Sequence, residues 1–209
     1  MKILIVDDHT VVRDGVRRLV ETLEVSEIGE AETPSEALAE FRRLRPDVVV
    51  LDINLKNGSG LDVLRRLRAD DPKARIVVFS MYSDIVYAAS ARREGALGYV
   101  AKSAPSDELV EAIEMALKNE PYVDSETAAL MATHAGRGAG PDDLTRRELQ
   151  ILHMLGEGKS LTEIAEGLGV AYKTIANTST RIKEKLGVER TSDLVRFAIE
   201  TKGGRMLNR

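Results

Sequence analysis

The stretch Val48-Val49-Val50-Leu51-Asp52 consists of four consecutive branched aliphatic residues followed by a carboxylate. An apolar run without polar alternation is typical of a strand that is buried on both faces, as in a parallel sheet covered by helices. In open sheets of this kind, ligands bind outside the carboxyl ends of the strands. We therefore expect the function of the protein to be organised around Asp52.

Polar side chains also follow three other predicted strands. These are Lys2 to Val6, followed by Asp7 and Asp8; Arg75 to Phe79, followed by Ser80; and Leu97 to Ala101, followed by Lys102. At a shared sheet edge the three carboxylates would repel one another unless a cation were present, and hard divalent ions with oxygen ligands fit best. Asp7, Asp8 and Asp52 therefore predict an Mg²⁺ site. The hydroxyl and the ammonium group suit the oxygens of a phosphoryl group.

Single members of this set have simpler interpretations. An acid after a strand often caps the next helix, and Asp8 alone is equally consistent with that role. We interpret His9 as a residue at the start of a helix and not as a ligand. A functional site is favoured because polar side chains follow two or more predicted strands at once.

Strands and amphipathic helices alternate through residues 1–120, with an additional short strand near Glu27 to Ala31. This order predicts an α/β domain with a doubly wound, five-stranded parallel sheet. Residues 121–141 are predicted to be a linker, because periodicity weakens there and 135–141 is rich in Gly and Ala. Residues 124–134 are expected to form a helix of their own.

Residues 142–209 are predicted to form a small all-α domain. Thr145 with Glu148, and Ser160 with Glu163, are spaced as capping boxes that begin two helices. Gly169 then turns the chain into a third helix, from about Ala171 to Leu186, which makes a helix-turn-helix. Its buried stripe is expected to contain Ile175, Ser179, Ile182 and Leu186, and its opposite stripe Lys173, Ala176, Asn177, Thr180 and Arg181.

Composition limits the classes of function. The chain has no cysteine, which excludes disulfides and thiolate metal sites, and no apolar stretch approaches membrane-spanning length. We expect a cytoplasmic protein with no membrane partner. Residues 1–124 contain 17 basic and 23 acidic residues, a net charge of −6, whereas residues 172–209 contain nine basic and four acidic, a net charge of +5. The two ends therefore suggest different partners, although a solvated helical surface could also carry this positive charge.

These motifs resemble those of the two-component response regulators of the NarL/FixJ type, which combine a receiver domain with a LuxR-type helix-turn-helix. The resemblance covers nearly the whole chain. The matching residues in the front part are Ile3-Leu-Ile-Val-Asp-Asp-His9, Asp52 with Gly58 and Gly60, Ser80, and Gly98-Tyr99-Val-Ala-Lys102. Those in the rear part are Leu144-Thr-Arg-Arg-Glu148, Glu163-Ile-Ala165, Leu168-Gly-Val170, Lys173-Thr174 and Lys185-Leu-Gly-Val188.

The resemblance implies that Asp52 takes a phosphoryl group from a phosphohistidine of a partner kinase, so the protein is a phosphoacceptor and not an enzyme. Asp7, Asp8 and Asp52 would hold Mg²⁺, and Ser80 and Lys102 would bind phosphoryl oxygens. Ser80 and Tyr99 would act as the switch, although a strand tyrosine can also be plain core.

We expect the output to be transcriptional control through double-stranded DNA. A phosphorylated homodimer would read an inverted repeat, with Leu194 and Phe197 in its interface and RNA polymerase as a further candidate partner. Asn177, Thr180 and Ala176 are the expected base readers. Residues expected to contact the DNA backbone are Lys173, Thr174, Arg181 and Lys185.

The sequence departs from the family pattern at three positions. Ser80 stands where Thr is often found, a change that keeps the hydroxyl and should keep the switch. Ser103, instead of a proline, follows Lys102, and Thr178 stands where a histidine is often found, which puts one expected phosphate contact in doubt. Two other functions are alternatives. An aspartyl-phosphate phosphatase typically needs a second acid two residues after its nucleophile, where this chain has Asn54. A regulator that works without phosphorylation would leave the acidic pair, Ser80 and Lys102 unexplained.

Overall fold

The computed structural model describes residues 1–55, 58–81, 85–134, 144–186 and 188–201. These residues form two compact units. The first comprises Met1–Met81 with Ala91–Ser125, and the second comprises the described residues of Tyr82–Ser90 and Glu126–Arg209. The predicted Gly-rich segment 135–141 lies outside the described residues, as do Lys56, Asn57 and the end of the chain from residue 202.

The first unit is built on a parallel sheet. The described strands are, in chain order, β1 (Lys2–Val6), β2 (Glu27–Ala31), β3 (Val48–Leu51), β4 (Asn54–Leu55), β5 (Gly58–Ser59), β6 (Ile76–Ser80), β7 (Gly98–Ala101) and β8 (Tyr122–Val123). Six of them form one parallel sheet in the order β2-β1-β3-β6-β7-β8, and β4 pairs with β5 in a separate antiparallel pair. The predicted α/β fold with a parallel sheet is confirmed. The sheet has one strand more than predicted, because β8 is too short to show a periodic pattern.

Helices pack against this sheet. The helices of the first unit are α1 (Thr10–Val20), α2 (Pro34–Leu44), α3 (Gly60–Asp70) and α5 (Ser106–Leu117), whereas α4 (Ile85–Arg93) is divided between the two units. Alternate strand residues point to opposite faces of a sheet. Ile3 and Ile5 of β1 accordingly share one buried cluster with Val16 of α1 and with Leu109 and Ile113 of α5. These two helices therefore pack on the same face, while α2 packs against β1, β2 and α3.

The strand register brings the carboxyl ends of four strands to one edge. Val6 of β1 is aligned with Leu51 of β3, and Leu51 is aligned with Val78 of β6. Ser80, at the end of β6, is aligned with Ala101 at the end of β7. Asp7, Asp52 and Lys102 each follow the last residue of a strand, so this edge gathers the side chains that the sequence had singled out.

The rear part is helical throughout its described residues. Its helices are α6 (Ser125–His134), α7 (Arg146–Gly156), α8 (Leu161–Gly167), α9 (Tyr172–Leu186) and α10 (Thr191–Thr201). Both capping boxes are present, Thr145 with Glu148 at α7 and Ser160 with Glu163 at α8. Gly169 has φ +63°, a left-handed conformation that glycine adopts without a steric penalty, and it separates α8 from α9. The helix-turn-helix is therefore confirmed, with α9 packing on α7 and α8.

Within the described part of the chain, none of the helices combines the length and the apolar character needed to cross a membrane.

Candidate functional site

Three buried, charged side chains contact one another at the carboxyl edge of the sheet. Lys102 Nζ lies 2.5 Å from Asp7 Oδ2 and 2.6 Å from Asp52 Oδ2. The side chains of all three residues are almost completely buried. One ammonium group thus bridges two carboxylates from different strand ends, in a setting where water screens the charges weakly.

Backbone contacts fix the position of Asp52. Its N–H donates to Val6 O at 2.8 Å, and its Oδ1 accepts a hydrogen bond from the N–H of Asn54 at 3.0 Å. Gly60 passes so close that a Cβ added there would lie 2.0 Å from Asp52 O. The turn after β3 therefore requires glycine at position 60 for lack of space.

The pKa of Asp52 is raised above the usual range of an aspartate. Burial is the main cause, and the nearby charge of Asp7 adds to it. Lys102 and the N–H of Asn54 act in the opposite direction without cancelling the effect of burial. The ionised form of this carboxylate is therefore costly to hold, and a further cation beside it would favour ionisation.

Four side chains at this edge are arranged as a group that could hold a metal ion. Asp7, Asp8, His9 and Asp52 each offer one ligand atom, and these atoms all lie within 4.8 Å of one another. His9 Nδ1 lies 3.1 Å from Asp8 Oδ1, yet this buried oxygen has no hydrogen-bond partner of suitable geometry among the described residues. A buried carboxylate oxygen without a partner is costly unless a cation binds it. The donor set therefore fits a hard divalent ion, as the sequence predicted for the three aspartates.

Ser80 and Tyr99, the predicted switch residues, are both buried in the sheet. Ser80 is the last residue of β6, and its carbonyl accepts a hydrogen bond from the N–H of Lys102 at 2.6 Å. Tyr99 lies in β7 opposite Val78. Ser80 is thus bonded to the backbone of Lys102, whereas Tyr99 precedes Lys102 by three residues, and their roles as a switch remain predictions.

In the second unit, α9 presents the surface that the sequence assigned to DNA. Ile175, Ser179, Ile182 and Leu186 are buried, as predicted. Five of the seven predicted DNA contacts are exposed: Lys173, Thr174, Asn177, Thr180 and Arg181. Ala176 and Lys185 are half-buried. The helix therefore has a polar outer stripe with two cations, Lys173 and Arg181.

Lys185 has a partner within the unit that the sequence did not suggest. Its Nζ lies 2.7 Å from Oε2 of Glu148, the capping-box acid of α7. Burial by itself raises the pKa of Glu148, but hydrogen bonds from Lys185 and from Thr145 outweigh it and lower the pKa below its usual range. Lys185 therefore stabilises the contact between α9 and α7, whatever else it binds.

Comparison with protein families accounts for both units. Residues 3–114 match the response regulator receiver domain, and residues 142–198 match the luxR family of bacterial regulatory proteins. The protein is a response regulator. It is a transcriptional regulator with a receiver domain and a LuxR-type DNA-binding domain, and not a catalytic enzyme.

Individual relatives cover the response regulator almost from end to end. The transcriptional regulatory protein MctR of Rhizobium johnstonii is 36% identical over 202 residues, which span 96% of this chain and 94% of MctR. The methanol utilization control regulatory protein MoxX of Paracoccus denitrificans is 38% identical over 199 residues, 93% of this chain and 89% of MoxX. Among solved structures, RcsB of Salmonella enterica serovar Typhimurium, bound to a promoter with the phosphomimetic BeF₃⁻, has a TM-score of 0.69 at 26% identity, covering 95% of this chain and 98% of RcsB.

Sequence reasoning missed one residue that supports the acidic edge of the response regulator. Arg13 is a buried arginine of α1, and its guanidinium donates to Asp7 O at 2.8 Å. It also binds Glu32 and, at 3.2 Å, Glu30. These bonds fix the turn between β1 and α1 that carries Asp7 and Asp8. The sequence signal that could have identified Arg13 is its position next to the apolar stripe of the first predicted helix.

Proposed function

We propose that Asp52 is the phosphoacceptor of this response regulator and that a histidine kinase is the donor. An Asp52 carboxylate oxygen would attack the phosphorus of a phosphohistidine. An O–P bond forms and the P–N bond breaks, and the electron pair of the broken bond goes to the imidazole nitrogen. Because the protein does little covalent chemistry beyond this, it contributes by positioning the groups and by neutralising charge.

The observation that carries the proposal is the bridge from Lys102 to Asp52 and Asp7. An ammonium group already within 2.6 Å of the Asp52 carboxylate would lie beside the oxygens of a group transferred to it. Ser80, whose backbone is bonded to that of Lys102, is proposed as the second phosphoryl partner. Lys102 and Ser80 thus serve as binding groups, and Asp52 as the nucleophile.

Mg²⁺ is the proposed cofactor, held by Asp7, Asp8 and Asp52. When bound, it supplies positive charge for the phosphoryl oxygens and favours the ionised form of the acceptor. Asp8 Oδ1 is buried without a hydrogen-bond partner of suitable geometry among the described residues, and this oxygen and the spacing of the ligand atoms support the assignment. Oxygen ligands favour Mg²⁺ over softer metal ions.

A groove in the first unit supports the choice of donor. It has a volume of about 620 Å³, lies between α1 and α5, and extends to Lys102. Its apolar lining includes Val12, Leu19, Phe79 and Met81, of which Met81 is 64% exposed. Since a donor histidine must reach the end of this groove, we assign the groove to an amphipathic helix of the kinase.

For the output, we propose that phosphorylation acts through Ser80 and Tyr99 and promotes a homodimer that binds an inverted repeat in the cytoplasm. Two small helical domains add their phosphate contacts, which strengthens weak individual binding. The expected part of Leu194 in the dimer surface is wrong, because Leu194 is fully buried within its own unit. Ile199 on the same helix is 52% exposed and replaces it in the proposal. RNA polymerase remains a candidate partner of the dimer.

The phosphoacceptor is tested by labelling with acetyl phosphate and Mg²⁺ followed by intact-mass measurement. The parent protein should gain a single phosphate, and Asp52→Asn should gain none. Asp107→Asn, which changes an exposed aspartate of α5, is the matched control and should be labelled like the parent. Labelling that persists in Asp52→Asn would refute the assignment.

A further inference from the structure

The four residues Tyr122–Ser125, termed the connector, lie after the end of α5 at Leu117 and include Ser125, the first residue of α6. Two of them form β8, which lies alongside β7 with Tyr122 opposite Gly98 and Val123 opposite Tyr99. The N–H of Asp124 continues this pairing by donating to Tyr99 O at 3.0 Å. The connector is therefore a strand of the receiver sheet, on the edge of the strand that leads to Lys102.

A buried carboxylate fastens the connector to the last residue of β7. Asp124 is fully buried, and its Oδ2 accepts a hydrogen bond from the N–H of Ala101 at 3.1 Å. The next N–H, that of Lys102, donates in the opposite direction to Ser80 O. The backbone that carries the Lys102 side chain is thus held between Ser80 on one side and Asp124 on the other.

The ends of the connector are fastened to α5 by a second carboxylate. Glu108 accepts hydrogen bonds from the N–H and the hydroxyl of Ser125, at 2.8 and 2.7 Å, and from the hydroxyl of Tyr122 at 3.1 Å. Burial alone raises the pKa of Glu108, but these bonds outweigh it and lower the pKa. The connector is consequently bound to the sheet at its centre and to a helix at both ends.

We propose that Asp124 is a positioning residue through which the phosphorylation state of Asp52 reaches the DNA-binding part of the chain. The inference rests on the proposed function, because it requires Lys102 and Ser80 to rearrange around a phosphoryl group. Lys102 directly follows Ala101, and its N–H is bonded to the carbonyl of Ser80. A rearrangement of Lys102 and Ser80 therefore displaces the N–H of Ala101. A directional hydrogen bond tolerates little displacement, and the connector therefore moves with β7 or loses this bond. Either response changes the segment from which α6 begins.

The full-length protein with Asp124→Ala tests this coupling. The matched control is Asp124→Asn, because asparagine keeps an acceptor oxygen in a side chain of the same size. Each is labelled with acetyl phosphate and titrated against a DNA duplex that the parent selects from a random pool, with and without beryllofluoride. In the parent, beryllofluoride should strengthen binding about tenfold, the usual size of an allosteric coupling. In Asp124→Ala this ratio should fall to about one while labelling of Asp52 is retained. Asp124→Asn should keep most of the response.

Amide hydrogen exchange on the parent gives a second measurement that does not depend on a folded variant. Exchange in peptides containing Ala101 and Val123 should change together when beryllofluoride and Mg²⁺ are added. A full response in Asp124→Ala, or a connector whose exchange stays unchanged in a responding parent, would overturn the inference alone. A parent whose DNA affinity does not respond to beryllofluoride would overturn the proposed control by phosphorylation as well.

Discussion

Lys102 Nζ lies 2.6 Å from Asp52 Oδ2, although the two residues are 50 positions apart in the chain. The same nitrogen is bonded to Asp7, so the ammonium group is shared between two buried carboxylates. This arrangement separates two roles that substitutions can test. In the proposed function, Asp7, Asp8 and Asp52 would provide oxygen atoms for a cation, and Lys102 would provide a charge for the transferred group.

Replacing Lys102 by alanine should slow labelling of Asp52 by about 10²-fold, the usual effect of removing one electrostatic partner of a transferred group. The metal ligands are left intact, so titration calorimetry should still detect Mg²⁺ binding. Lys118→Ala, at an exposed lysine after α5, is the control and should label at the parent rate. Loss of Mg²⁺ binding in Lys102→Ala would mean that the lysine is needed to build the metal site.

Asp52→Asn should raise the thermal unfolding midpoint of the metal-free protein at pH 7. The pKa of Asp52 is raised in the folded state, chiefly by burial, so its ionisation opposes folding. The favourable contribution of this group is present at low pH and is lost as the pH rises through the folded pKa. The advantage of the asparagine should therefore shrink as the pH is lowered toward the usual pKa of an aspartate. A variant that is less stable than the parent at pH 7 would show that the bond to Lys102 outweighs the cost of burial.

Met81→Glu should impair phosphotransfer from the histidine kinase while leaving labelling by acetyl phosphate unchanged. Met81 is largely exposed and lines the apolar groove, so a charge there costs docking energy without disturbing a packed core. The comparison of the two donors on one variant is its own control, since the small donor needs no groove. Equal effects on both donors would place the defect in the phosphoacceptor site instead.

Asn177→Ala and Arg181→Ala should weaken DNA binding in different ways. Asn177 is expected to read a base, so its loss should cost about 1–3 kcal/mol and relax the sequence preference at one position. Arg181 is expected to bind a phosphate, so its loss should weaken all sequences alike and reduce the salt slope by about one unit. Titrations at several salt concentrations, on matched and mismatched duplexes, separate the two outcomes. If the effects were exchanged, α9 would have to be rotated in the groove.

Lys185→Ala and Glu148→Gln both remove the ion pair between α9 and α7, but only the first removes a cation. Both should destabilise the protein by about 1 kcal/mol at pH 7, because Lys185 is partly exposed. The pKa of Glu148 is lowered in the folded state, so this contribution is present above its unfolded pKa and is lost as the pH falls through the folded one. If Lys185 also contacts a phosphate, as predicted, Lys185→Ala alone should reduce the salt slope of DNA binding. Equal slopes in the two variants would restrict Lys185 to its structural role.

The central features were predictable because they depend on local patterns. The apolar run before Asp52 identified a buried strand, and parallel strands place their ends together, so Asp52 and Lys102 could be expected at one edge. The starts of α7 and α8 were likewise determined by residues three positions apart, such as Ser160 and Glu163.

Other features depend on contacts that no local pattern reports. The strand β8 has two residues, and it forms because β7 offers an unpaired edge. Because two residues show no periodic pattern, the sequence predicted a linker for this segment. Arg13 is buried because it bonds to Glu30 in β2 and to the carbonyl of Asp7, which follows β1. Lys185 was predicted to contact the DNA backbone from its charge and its place on the flank of the third helix, although Glu148, 37 positions earlier in the chain, lies within bonding distance. In each case the structural role depends on a contact partner that is not apparent from the residue's own local sequence.

The short strand β8 also has a consequence for preparing the receiver as a separate fragment. A fragment ending at residue 120, where the domain boundary was predicted, would lack β8 and leave one side of β7 without a partner. Exposed strand edges are templates for pairing with other chains and lead to aggregation. Ending the fragment beyond Ser125 keeps this edge covered, because Tyr122, Val123 and Asp124 supply the missing strand and its bonds. The connector thus gives β7 a partner strand as well as joining the sheet to the rest of the protein.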